Sequence, residues 1–75
     1  MRYAIVIEPG EKNYSAYVPD VPGCVATGTT VEEATAEIRD ALAAHLAVTT
    51  EYGESVPQPT TLVTYVDVPV RAPAR

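Results

Sequence analysis

The stretch YSAYVPDVPGCVATGTTVEEA, residues 14–34, decides the fold. It contains two β-like runs, a corner of prolines, aspartate and glycine between them, and the start of a helix. Tyr14, Ala16 and Val18 alternate with Ser15 and Tyr17, the period of a strand whose faces differ. Pro19 ends that strand, because it has no N–H to give to a ladder. In the corner, Asp20 can accept backbone N–H groups in an Asx-turn, Pro22 presets φ near about −65°, and Gly23 permits positive φ. Residues 24–27 then make a short third strand, closed by Gly28.

Downstream of the corner, Thr30 followed by Glu33 has capping-box spacing, and Glu32 and Glu33 suit the positive end of a helix dipole. Ala34, Ile38, Ala41, Leu42, His45 and Leu46 recur at helical spacing as one stripe. Glu33, Glu37 and Asp40 fall mostly elsewhere and should face water. Gly53 fits a C-terminal stop. The spacing therefore predicts a helix over Val31–Glu51, about 30 Å long at 1.5 Å per residue.

Upstream, Tyr3, Ile5 and Ile7 alternate with Ala4, Val6 and Glu8. Both sides are largely apolar, which points to a strand interior to a sheet. Residues 9–13, PGEKN, read as a turn. After the helix, the proline-rich SVPQPT leads to residues 62–68, a run dense in Val, Thr and Tyr and so a last strand. Residues 69–75 read as a flexible tail.

The order β-β-β-α-β defines an α+β class with a single domain over residues 1–68. A right-handed crossover through the helix places the fourth strand beside and parallel to the first. The expectation is a four-stranded mixed sheet of order 3-2-1-4, with the helix packed on one face.

Charge narrows the partners. Ten acidic residues stand against five basic ones, a formal charge of −5, and Arg71 and Arg75 lie at the very end. Such a body repels nucleic-acid phosphates, whose binding relies on Lys and Arg, and attracts a basic protein. No apolar run approaches the roughly 20 residues a membrane helix needs. The N-terminus carries no signal-peptide pattern, so a cytoplasmic location is expected.

Catalytic sets are hard to find. His45 is the only histidine and Cys24 the only cysteine, so a histidine cluster, a disulfide or a CxxC metal site cannot form within one chain. His45 lies on the apolar stripe and reads as a structural histidine. Cys24 has no neighbouring base and reads as a buried hydrophobe. Glu8, Asp20, Asp40 and Asp67 could gather around magnesium only if the fold brought them together. No cofactor, metal or enzymatic activity is expected. A domain of this size buries only about 60% of its unfolded surface. With apolar residues on both faces of two strands, it should supplement its core by forming a homodimer or higher oligomer.

The central pattern resembles the HicB antitoxin family. The residues that carry the resemblance are Tyr14, Ala16, Tyr17, Pro19, Asp20, Pro22, Gly23 and Cys24, then Gly28, Thr30, Glu32, Glu33 and Ala34. Ile38-Arg39, His45-Leu46, Gly53-Glu54 and the Val-x-Val ending at Val68 extend the likeness from Arg2 to about Val68. The resemblance implies a partial RNase H-like fold without nuclease activity. It also implies a partner, a small basic HicA-like RNA-cleaving toxin whose active surface the protein covers. The contact is expected at the corner loop Asp20, Val21, Pro22 and Gly23, or at Glu33, Glu37 and Asp40 on the helix. Many family members add a C-terminal DNA-binding module. The seven residues after Val68 are too few for one, so no specific DNA binding is expected of this chain. A degenerate magnesium-dependent nuclease, or a solitary self-assembling module, is the competing reading.

Overall fold

The computed structural model describes residues 1–73. Residues 74 and 75, the end of the expected tail, lie outside the described residues. Three strands, β1 (Val6–Pro9), β2 (Tyr14–Tyr17) and β3 (Val25–Gly28), precede one helix, α1 (Val31–Glu51). They form an antiparallel meander of order β1-β2-β3. The register pairs Ile7 with Ala16 and Ala16 with Ala26, and it pairs Val6 with Tyr17 and Tyr17 with Val25. Directly opposed residues share a face. One row, Ile7–Ala16–Ala26, therefore lies on the core side, and the other, Val6–Tyr17–Val25, lies on the outer face.

The helix lies across β3 and β2 and barely reaches β1. Small side chains explain this offset. Gly28 of β3 meets Ala34 of the helix, which is fully buried, and Ala26 packs against the same core. A Cβ built on Gly28 would stand 2.8 Å from the Ala34 Cα and 2.9 Å from the Glu33 carbonyl carbon. Real Cβ atoms do not approach backbone so closely, so only glycine allows this crossing. Ala16, Val18, Val21, Cys24, Ala34 and Ile38 make the core, with Tyr3, Ile5 and Leu42 among its half-buried flank.

Both helix ends are closed by their own residues. The Thr30 hydroxyl accepts from the Glu33 N–H at 3.0 Å. The Glu33 carboxylate reaches back to the Thr29 N–H at 2.8 Å, one residue before the cap, so the box is displaced outward from its usual form. At the other end Gly53 takes φ of 72°. The Glu54 N–H donates to the Thr49 carbonyl and the Gly53 N–H to the Thr50 carbonyl, both at 3.0 Å. These two bonds are the Schellman pattern.

Four expectations need correction. The sheet has three strands and not four, so the order 3-2-1-4 with a parallel strand beside β1 is not formed. Residues 62–68 run as an exposed, unpaired arm, and β1 is an edge strand, not an interior one. Alternation in that segment reports its fitness to pair, whereas the site of pairing depends on a partner that periodicity does not name. His45 is exposed, while Leu42, Leu46 and Thr49 beside it are half-buried, so it stands at the edge of the buried stripe and not on it. Val21 is buried to 1% exposure, so its side chain belongs to the core and not to the loop surface.

Candidate interaction surface

The corner after β2 consists of two consecutive turns. The Val21 N–H donates to the Val18 carbonyl at 3.0 Å, and the Cys24 N–H donates to the Val21 carbonyl at 3.1 Å. The Val18 N–H closes the pair onto the Cys24 carbonyl at 3.2 Å. In the second turn Pro22 and Gly23 occupy the central positions, with Gly23 at φ 86°, the type II requirement. The turns bury Val21 and Cys24 inward, present Pro22 and Gly23 to solvent, and leave the Asp20 side chain free of local bonds.

Asp20 uses that freedom across the molecule. Its carboxylate accepts from the Thr60 and Thr61 N–H groups, each at 3.0 Å, and from their hydroxyls at 3.1 and 2.7 Å. These four bonds tie the corner to a segment forty residues later. The donated Thr61 backbone N–H, followed by the hydroxyls and the Thr60 N–H, holds the Asp20 carboxyl below its ordinary pKa, since donors to the charged form favour it. Thus the expected local Asx-turn is replaced by a long-range clamp. A second tie lies nearby, where the Tyr3 hydroxyl donates to the Pro57 carbonyl at 2.6 Å. Neither Thr60, Thr61 nor Pro57 was legible as a contact in the sequence. The only local sign was the lack of any other role for two threonines following Pro59.

The other expected contact residues divide by duty. Glu37 and Asp40 are exposed on one face of α1, with Glu33 one turn before Glu37. Glu33 already serves the helix cap through Thr29, which leaves Glu37 and Asp40 as the uncommitted acids of that face. Pro22 and Gly23 form the exposed tip of the corner, on a different element.

Chemistry-bearing side chains stay apart. Burial pushes the Cys24 thiol up from its ordinary value, which keeps it protonated and unreactive. Glu8 sits at the exposed end of β1, Asp40 on the helix, Asp20 on its threonines and Asp67 on the arm. Among the described residues, no group of three or more His, Cys, Asp or Glu side chains could hold a metal ion. Among the same residues, no helix is long and apolar enough to cross a membrane.

These features define a small α+β scaffold that offers a rigid corner, an acidic helix face and an apolar arm. The chain belongs to the HicB-like antitoxin family of bacterial toxin–antitoxin systems, whose model matches residues 3–72. It is 35% identical over 69 residues to an uncharacterised 14.9 kDa protein from the rep-hol intergenic region of Haemophilus phage HP1. That match covers 92% of this chain and 52% of the phage protein, so the chain spans about half of that relative's length. A UPF0150 protein of Thermoplasma acidophilum, Ta0767, is 32% identical over 59 residues, covering 77% of this chain and 86% of that protein. Among solved structures, the fold is similar to a chain of the HicA3 and HicB3 toxin–antitoxin complex. The TM-score is 0.67 at 27% identity, over 79% of this chain and 69% of that one.

Proposed function

We propose that this protein binds and silences a small basic HicA-type ribonuclease by covering the surface that holds RNA, with no catalytic contribution of its own. The observation that carries the reading is the likeness to a chain of a solved toxin–antitoxin complex, within an antitoxin family match over nearly the whole chain. Charge supports it. A toxin surface suited to RNA is basic, and a body of net charge −5 attracts it over a distance comparable to the Debye length. Glu37 and Asp40 are the uncommitted acids of the helix face, and the Pro22–Gly23 tip is the alternative contact. Asp20 and Glu33 act there through the geometry they hold. Such a pair would work in the cytoplasm, where its RNA lies. No observation favours the magnesium nuclease, and that reading is not carried further.

The test is co-expression with the product of the neighbouring gene, followed by affinity purification and a growth assay. Co-purification and rescued growth are expected, with an association rate that falls as salt rises. Reversing both Glu37 and Asp40 to Lys should slow association by about tenfold or more, the scale on which steering operates. If a HicA-like toxin is encoded next door and the protein neither captures it nor restores growth, the reading fails.

A further inference from the structure

The arm after Thr61 is the least explained part of the molecule. Leu62, Val66, Val68 and Val70 lie on one side of it by period-2 alternation, with Thr64 the single polar member. Leu62 is 94% exposed and Val66 79%, although β-branched residues in such a pattern are those that fill a half-buried strand. The arm gives the molecule extents of 61 × 27 × 17 Å and a radius of gyration of 16.1 Å. A compact chain of this length would have a radius near 11 Å.

The complementary vacancy is at the other side of the same molecule. Among the described residues, strand β1 has β2 as its partner on one edge and nothing on the other. Residues 3–7, five apolar positions in a row, are all left half-buried. Because the helix sits over β3, an open groove remains on the β1 side, lined by Tyr3, Ile5, Ile38 and Leu42, with Arg39 at its rim. An unpaired strand edge beside an apolar groove is a template for another strand.

The arm's root is held and its remainder is free. Asp20 fixes Thr60 and Thr61, and Tyr3 fixes Pro57, so the arm starts across a cleft from residues 2–4. Pro57 and Pro59 stiffen the approach. From that fixed root the arm leaves without pairing to its own sheet.

We propose that two copies of this chain exchange their arms. Residues 62–68 of each copy add a strand to the free β1 edge of the other, with the apolar side of the arm entering the groove beside Ile5 and Leu42. The arrangement is isologous, so a two-fold axis closes it at two copies. It is a different statement from a four-stranded sheet within one chain, and it does not rest on toxin binding. The outer row Val6–Tyr17–Val25 is the competing self-association surface, and the experiment separates the two.

Multi-angle light scattering on the full chain at micromolar concentration should report a dimer. Consecutive N–H groups of a strand point to opposite sides, so of Tyr65→Pro and Val66→Pro at least one must remove a ladder bond. A tenfold loss per arm becomes about a hundredfold loss in the dimer constant, because each dimer holds two arms. A chain ending at Thr61 should be monomeric with its helical circular dichroism intact, and a peptide of residues 60–70 should bind it. The same peptide in excess should dissociate the full-length dimer. A monomeric full chain would overturn the proposal, as would a dimer that survives truncation, which would point to the outer row. Failure of the peptide to bind the truncated chain would overturn docking on β1 and leave pairing between the arms themselves.

Discussion

Gly28→Ala is the sharpest test of how the helix is seated. The added methyl would lie 2.8 Å from the Ala34 Cα and 2.9 Å from the Glu33 carbonyl carbon, against an ordinary carbon–carbon contact of about 3.5–4.0 Å. Its neighbours are backbone atoms at the capped start of α1, so no rotamer change relieves the overlap. Either β3 and the helix separate by several tenths of an ångström, loosening Ala34 and Ile38, or the cap at Thr30 shifts. Overpacking in a close-packed core costs roughly 1–3 kcal/mol, and rigid backbone on the far side places this case at about 2–3 kcal/mol. A domain of this size has a total stability of roughly 4–11 kcal/mol. The melting temperature should therefore fall by about 10–20 °C, at 4–8 °C per kcal/mol. Gly23→Ala is the control, because no atom lies within 4 Å of its added methyl and only its φ of 86° opposes the change. That strain costs about 1 kcal/mol. Both variants should be melted by circular dichroism at one protein concentration, since any self-association makes the midpoint concentration-dependent. A Gly28→Ala protein as stable as wild type, or less perturbed than Gly23→Ala, would refute the account of close backbone approach.

Two further outcomes follow from the hydrogen bonds. Asp20 has its folded pKa lowered by the Thr61 N–H and its companions, so its contribution is present above the unfolded value near 3.9 and is lost as pH falls through the lower folded value. An NMR titration should give Asp20 a midpoint below the ordinary aspartate value, with the Thr60 and Thr61 amide shifts following it, and a midpoint at or above the ordinary value would contradict the clamp. Thr30→Ala removes the acceptor for the Glu33 N–H and should cost about 1 kcal/mol, measured by urea denaturation; an unchanged midpoint would show that the cap contributes nothing.

Legibility in the sequence followed the range of the interaction. The helix bounds Val31–Glu51 were readable because Thr30, Glu33 and Gly53 act within a turn of themselves, and the bounds agree with the structure. The second and third strands were readable for the same reason, bracketed by a corner whose Pro22 and Gly23 set their own dihedrals. Asp20 shows where such reading stops. An aspartate two residues before a Pro-Gly pair has every local reason to bond its own turn, yet the turn closes entirely through backbone groups. The carboxylate was left to bind threonines forty positions away. The neighbours of Asp20 make an Asx-turn plausible, and they carry no trace of Thr60. The apolar stripe misled in a similar way at His45, since periodicity marks the side of a helix that could be buried but not how wide the buried part of that side is. Leu42, Leu46 and Thr49 are half-buried along the helix, and His45 lies to one side of them in solvent.

The same limit explains why residues 62–68 were read as a strand of this chain's own sheet. A period of two, with valine, threonine and tyrosine, describes a segment competent to pair, and β1 describes an edge competent to receive it. The structure keeps both halves of that reading apart: the apolar residues of the arm are exposed, and the β1 edge is open beside Ile5 among the described residues. The sequence could not say whether the arm and the edge that match belong to one molecule. Complementarity within a sequence is indifferent to that choice, because two copies carry the same arm and the same edge. The choice is made by the connection. The Asp20 clamp and the Tyr3–Pro57 bond fix the arm's root, so the freedom to fold back is lost where it would be needed. If that reasoning holds, weakening the root through Asp20→Ala should shift the balance from dimer toward monomer in light scattering, while the helix cap and the Gly28 contact stay as they are.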